Sequence, residues 1–165
     1  MPTDRNVRRA FGLAAFVLVA DIATKSTIVA LLELGEQRVW LSVLNIVHVL
    51  NRGAAFSFLH DAGGWQRGFF IAVALAASVF LTVMIRRADT SVIERLSFGL
   101  ILGGALGNAF DRIVRGAVVD WIDFHWGASH FPAFNAADIG ISIGAALMVI
   151  GAIMGSVERR APEPE

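Results

Sequence analysis

Four long apolar stretches constrain this chain more than any other feature. They cover about residues 10–32, 68–85, 93–113 and 134–157. At about 1.5 Å of helical rise per residue, each can cross a hydrocarbon core of about 30 Å. Lipid offers no partner to backbone N–H and C=O groups, so such segments close their hydrogen bonds internally, as helices. Composition agrees: 56% of the 165 residues are hydrophobic before the 16 glycines are counted, where soluble chains hold about 45–50% with glycine included. The expected fold is an all-α membrane protein with four transmembrane helices, a single integral-membrane domain over residues 1–165. The tail at 161–165, rich in proline and glutamate, is expected to be disordered. No internal repeat is visible.

Arginines orient the helices. Eight of them (Arg5, Arg8, Arg9, Arg86, Arg87, Arg95, Arg159 and Arg160) lie on one side, and five (Arg38, Arg52, Arg67, Arg112 and Arg115) lie on the other. The richer side is expected to be cytoplasmic, with both termini inside and both long links outside. All four tryptophans and all four histidines fall in those links, and tryptophan favours the membrane interface. The basic start followed by an apolar run resembles a secretory leader. However, Asp21 and Lys25 interrupt the run before it resumes, and no small-x-small cleavage site follows, so an uncleaved first helix is expected.

The first outer link, about residues 33–67, is too long for a turn. Residues 38–59 are rich in Val, Leu, Ile and Phe with partial alternation. Short β-strands on the membrane surface are expected here, with a re-entrant helix as the alternative.

Polar residues inside apolar stretches are costly, hence candidates for function. Asp21 and Lys25 are i,i+4 neighbours on one helix face. They read equally as an ion pair fixing helix packing and as part of a site. In Asn51-Arg52-Gly53-Ala54-Ala55-Phe56, small residues after an asparagine permit close backbone approach. Asn51 could bond a peptide edge and Phe56 seat an acyl chain, while a plain turn explains the same residues. Gly103 and Gly107 form a small-xxx-small packing pattern. Gly104, Asn108 and Arg112 share another face leading to the outer boundary. Asp111 reads as the partner of Arg112.

Asp120 follows two valines, and Asp138 lies at the start of the last apolar stretch, three residues after Asn135. Brought together, two such carboxylates could share a proton and activate a water. Asp123 competes with Asp120 for this role, and a helix-capping role competes for Asp138. Absent cysteines exclude thiolate chemistry. No cluster has metal-ligand spacing, so no metal or cofactor is expected. With 14 basic and 14 acidic residues, nothing suggests nucleic-acid binding.

The stretches DIATK, NRGAAF, GGALGNAFDR, VVDWIDF and FNAADIGIS, in this order, resemble the lipoprotein signal peptidases (signal peptidase II), membrane aspartyl proteases of bacteria. They span Asp21 to Ser142. The resemblance implies that Asp120 and Asp138 form the catalytic dyad. It also implies that Asp21, Lys25, Asn51, Gly53, Gly104, Asn108, Arg112 and Asn135 bind substrate or support the site. Trp121 stands where many members have phenylalanine. Asp123, His125 and His130 receive no role.

The implied substrate is a prolipoprotein whose lipobox cysteine carries a diacylglyceryl group, cut just before that cysteine. The implied enzyme is a monomer in the bacterial inner membrane, in contact with membrane lipids, with its active site at the outer face. Two readings compete with it. One is a small proton-coupled transporter using Asp21 and Lys25 as a relay, although no repeated halves are visible. The other is a non-enzymatic lipid-binding or assembly subunit.

Overall fold

The computed structural model describes residues 4–53, 64–87 and 89–158. Four helices are present: α1 (Asp4–Leu31), α2 (Trp65–Arg86), α3 (Val92–Val114) and α4 (Ala136–Glu158). Between them lie β1 (Gln37–Leu41), β2 (Leu44–Asn51), β3 (Val118–Trp126) and β4 (Ser129–His130). The strands form one antiparallel sheet in the order β1-β2-β3-β4.

Among the described residues, three helices are long and apolar enough to cross a membrane: α1 over Arg5–Leu31, α2, and α4 over Ala136–Met154. The chain is thus a membrane protein of mainly helical architecture. Helix α3 was expected to match them, but its apolar character is diluted by Gly99, Gly103, Gly104, Gly107, Asn108, Asp111 and Arg112.

That dilution has a packing reason, for α3 packs against each of the other three helices. Its glycines set the approach. A Cβ on Gly99 would lie 2.4 Å from the Ala10 carbonyl oxygen, and one on Gly103 would lie 2.4 Å from that of Ala14. A Cβ on Gly107 would lie 2.4 Å from Asp21 Oδ2. These three face α1, one turn apart. Gly104 faces α4, with its would-be Cβ 2.4 Å from the Ala137 oxygen. Small residues bring helix backbones together where the hydrophobic effect between helices is weak. A serine N-cap with a full capping box (Ser91 and Glu94) starts α3.

Helix α1 begins six residues earlier than expected. Arg5, Arg8 and Arg9 sit exposed on its surface while Ala10 is buried, so the charged turn continues the helix without burying charge. The expected strands at 38–51 are present, and the re-entrant helix is not. Residues 54–59, including Phe56, lie outside the described residues, as do Arg159, Arg160 and the tail at 161–165.

The expectation of a β element confined to the first link needs correction. The second link supplies β3, the longest strand, which pairs with β2 in the register Asn45↔Asp123, Ile46↔Ile122 and Val49↔Asp120. A bulge lies between Ile46 and Val49. The sheet lies where α1 ends, α2 begins, α3 ends and α4 begins, and it is tied to α1 by a hydrogen bond from His48 Nδ1 to the Leu32 carbonyl (3.0 Å).

Overpacking a close helix contact typically costs about 1–3 kcal/mol. Gly103→Val is therefore expected to lower the thermal unfolding temperature in detergent by several degrees. Gly12→Ala, where a Cβ meets nothing within 4 Å, is expected to leave it unchanged or slightly raised. Equal unfolding temperatures would show that the α1–α3 seam does not depend on glycine.

Candidate active site

Strand β3 carries Asp120 to the point where β2 and the start of α4 meet. The segment before α4 is pinned to β3 at Phe134, whose carbonyl accepts from the backbone N–H groups of Trp121 and Ile122 (3.0 and 2.9 Å). Phe134 N–H donates back to Ile122 (3.1 Å). Asn135 follows directly and caps α4. Its Oδ1 accepts from Asp138 N–H (3.1 Å), and Asp138 Oδ2 accepts from Asn135 N–H (3.2 Å). This reciprocal pair satisfies two donors at the helix start. The capping role weighed against function for Asp138 is thus real, yet it uses only one carboxylate oxygen. Oδ1 accepts from Asn108 Nδ2 on α3 (2.9 Å).

Asp120 is held by two amides. Asn135 Nδ2 donates to its Oδ1 (2.6 Å) and Asn51 Nδ2 to its Oδ2 (3.0 Å). Asn135 Nδ2 also donates to Asn108 Oδ1 (3.3 Å), so one amide links the surroundings of both carboxylates. Asn51 is oriented in turn by Gly53, whose N–H donates to Asn51 Oδ1 (2.8 Å). Gly53 has φ 106°, a conformation costly for other residues. A Cβ there would lie 2.5 Å from the Phe70 ring. The other face of that neighbourhood belongs to Arg112, whose guanidinium lies 4.8 Å from the centre of the Phe70 ring. Arg112 donates to the Asn108 carbonyl (3.2 Å) and interacts electrostatically with Asp120 and Asp138.

Behind Asn108 lies a buried charge cluster. Lys25 and Asp21 are both 0% exposed. Lys25 Nζ donates to Asp21 Oδ2 (2.7 Å) and Asn108 Oδ1 (2.8 Å), and it lies 3.6 Å from Asp111 Oδ2. Asp21 Oδ1 accepts from Ala137 N–H at the start of α4 (2.9 Å). The two readings of this pair therefore merge, because the contacts that fix packing also reach the site.

All ten residues singled out from the sequence lie in this connected region, but Gly104 differs in kind. It contributes close approach of α3 to α4 and no polar contact. Asp111 corrects an expectation. It pairs with Arg115 and accepts from Val119 N–H (2.9 Å), anchoring β3. Successive helix residues diverge, whereas i,i+4 residues share a face, so Arg115 and not the adjacent Arg112 meets Asp111. The spacing of Asp111 and Arg115 was the available signal. Phe70 carried none. Asp123 is separate from Asp120: three residues along a strand place it on the opposite sheet face. There it accepts from Asn45 Nδ2 (2.8 Å) and lies against His130 Nδ1 (2.9 Å).

Burial is the main cause of a raised Asp120 pKa, from an ordinary 3.8 to about 6. The Asn51 and Asn135 hydrogen bonds oppose the rise, and the charge of Asp138 adds to it. Between about pH 4 and 6 Asp120 therefore holds more proton in the folded protein than in the unfolded chain, so its contribution to stability falls as pH rises through this window and levels above it. The Asp120 contribution amounts to about 3 kcal/mol. Asp120→Asn is expected to remove this fall, with the wild-type and variant unfolding temperatures in detergent diverging between pH 4 and 6. Parallel curves would contradict the burial of the carboxylate.

Comparison with known proteins identifies the family. Residues 13–154 match the Peptidase_A8 family, described as signal peptidase (SPase) II. A relative from Shewanella amazonensis, named lipoprotein signal peptidase, is 45% identical over 90% of this chain and 89% of its own length. A Shewanella baltica protein of the same name is 47% identical over 88% of this chain and 86% of its own. Among solved structures, a bacterial membrane enzyme superposes with a TM-score of 0.81 at 30% identity, covering 95% of this chain and 94% of that one. A second bacterial membrane enzyme gives 0.77 at 31% identity, covering 87% and 92%. This chain belongs to the signal peptidase II family.

Proposed function

We propose that this protein is an aspartic endopeptidase that removes the signal peptide from diacylglyceryl-modified prolipoproteins, cutting before the lipidated cysteine. Family membership supports the processing of prolipoprotein signal peptides and lends nothing to the transporter alternative. The observation that carries the aspartic reading is the shared amide: Asn135 donates to Asp120 and caps Asp138 through the same side chain. Two carboxylates linked in this way, one of them with a raised pKa, suit a pair that holds one proton.

Burial favours the neutral form of Asp120, so Asp120 holds the shared proton and donates to the scissile carbonyl oxygen. Asp138, bound by two N–H donors, takes the proton from the attacking water. The carbonyl carbon gains the water oxygen, and collapse of the tetrahedral intermediate breaks the C–N bond, with the amine leaving protonated. Arg112 balances the negative charge of the pair. A groove of about 310 Å³ lined by Phe131, Phe134, Ile139, Ser142 and Ile143 opens beside Asp138 and suits the apolar part of the substrate. Holding that part places the peptide bond at the depth of the pair, which is an orientation effect.

The same reading places α3 as a fourth span, shielded from lipid by its three neighbours. It sets the sheet at the outer face of the inner membrane and the termini in the cytoplasm, with the protein acting as a monomer. Arginine asymmetry supports this orientation. So do Trp40, Trp65 and Trp126, which are exposed at the sheet end.

The test uses a diacylglyceryl-modified lipobox peptide and its unlipidated twin. Wild-type protein is expected to cleave only the lipidated peptide. Asp120→Asn and Asp138→Asn are each expected to lower turnover at least about 10³-fold while remaining folded. Near-normal turnover in either variant would remove that residue from the pair. In the wild type the alkaline limb of kcat/KM is expected near pH 6, where Asp120 loses the shared proton.

A further inference from the structure

Lys25 is the only lysine of the chain, and one of its three polar contacts is neutral. Offsetting its charge requires Asp21 and Asp111, and the contact to Asn108 is additional. An ammonium offers only donors, and an amide has an oxygen end and a nitrogen end of nearly equal size, so partners alone decide which way the amide faces. With Lys25 Nζ 2.8 Å away, the oxygen of Asn108 must face Lys25. Its nitrogen is then left to face Asp138 Oδ1 at 2.9 Å.

The orientation propagates. Asn108 Oδ1, fixed as an acceptor, receives a second bond from Asn135 Nδ2 (3.3 Å). Asn135 is turned the same way by the helix start: its Oδ1 accepts from Asp138 N–H (3.1 Å), which leaves Nδ2 toward Asp120 Oδ1 (2.6 Å). The ammonium thus sets Asn108 and the helix cap sets Asn135, and each amide presents an N–H to a different carboxylate.

We propose that Lys25 is a positioning residue of the reaction: it holds the Asn108 amide with its N–H toward Asp138, and so keeps Asp138 as the proton-accepting member of the pair. This rests on the aspartic reading above and deepens it. Donor hydrogen bonds favour the charged form of a carboxylate, and acceptors favour the protonated form. Without the ammonium the Asn108 oxygen keeps only the longer bond from Asn135 Nδ2 (3.3 Å) to hold it away from Asp138. A flipped amide would turn its oxygen toward Asp138, draw the shared proton there and remove the base.

Among the described residues, the other charged groups around Asp138 are Asp21 on α1, Asp111 and Arg112 on α3, and Asp120 on β3. Asp21 is held by Ala137 N–H as well as by Lys25, and Asp111 by Arg115 and Val119 N–H. Arg112 acts on both carboxylates. None of these donates to Asn108 Oδ1, so none replaces Lys25 in orienting the amide.

The experiment is the pH dependence of kcat and KM for the lipidated lipobox peptide, measured on full-length protein in detergent. Variants are Lys25→Met, which keeps the side-chain length without charge, and Asn108→Leu, which removes the amide donor without adding charge. Both are expected to move the acid limb of kcat upward by about one pH unit, with KM little changed. At a pH below the wild-type limb the rate falls about tenfold. A purely structural Lys25 would lower activity equally at every pH, and an unshifted limb in Lys25→Met overturns the proposal. If that variant does not fold, Asn108→Leu decides by the same limb. Activity retained by Asp120→Asn or Asp138→Asn would instead overturn the aspartic reading itself. Inactive aspartate variants together with an unshifted limb would remove only the role of Lys25.

Discussion

The buried pair of Asp21 and Lys25 is the interaction on which the rest of the molecule is hung. A charge at membrane depth costs about 2.5–3.5 kcal/mol on insertion scales, so neither residue is tolerable alone. Together they recruit the N-terminus of α4 through Ala137, Asn108 on α3 and the edge of the Asp111 carboxylate. Five groups from three helices meet at one point. The helices must therefore come close, and Gly107 is the residue that lets them: a side chain there would occupy the space of Asp21 Oδ2. The polar cluster and the glycine seam are two sides of one requirement. Satisfying buried charge demands near contact of backbones, and near contact demands missing side chains.

How much of this was legible in the sequence follows from the range over which each signal acts. The helices were legible because lipid forces an uninterrupted apolar run, and the pairing of Asp21 with Lys25 was legible because i,i+4 spacing is local. The glycine pattern at Gly103 and Gly107 announced close packing but not its partner. Strand β3 was not read as a strand. Val118, Val119, Trp121, Ile122 and Phe124 are good strand formers, but Asp120 and Asp123 stood out as charges and hid the pattern. Its pairing with β2 joins residues some 70 positions apart, such as Asn45 and Asp123. Nothing local specifies that pairing. The amide network was equally hidden, because an asparagine side chain carries no periodicity and its orientation depends on all its partners at once.

Helix α3 shows why hydropathy underrates a central helix. Composition measures suitability for lipid, whereas α3 presents much of its surface to protein. Its glycines replace lipid contact by backbone contact, and its last two turns carry Asn108, Asp111 and Arg112 to the site. A segment surrounded by other spans is free to be less apolar, since its neighbours supply the partners that lipid withholds. The helix whose apolar run falls short of a lipid span is for that reason free to carry Asn108 and Arg112 to the two carboxylates.

The two carboxylates sit in unequal surroundings, and the inequality follows from the fold. Asp120 comes from a strand of the sheet, where both its oxygens meet neutral amides and burial dominates. Asp138 comes from the first turn of a helix, where backbone N–H groups and the helix dipole favour negative charge. A strand and a helix start thus present the two carboxylates in different surroundings: burial holds Asp120 back from ionisation, and Asp138 accepts from a backbone N–H and an amide. Proton sharing needs that asymmetry, since two equivalent carboxylates would leave the proton undirected. Asn135 lies where these two elements meet, serving as the helix cap and as the donor to the strand carboxylate. In the proposed mechanism, the junction that ends the second link is therefore also the place where the acid and the base are told apart.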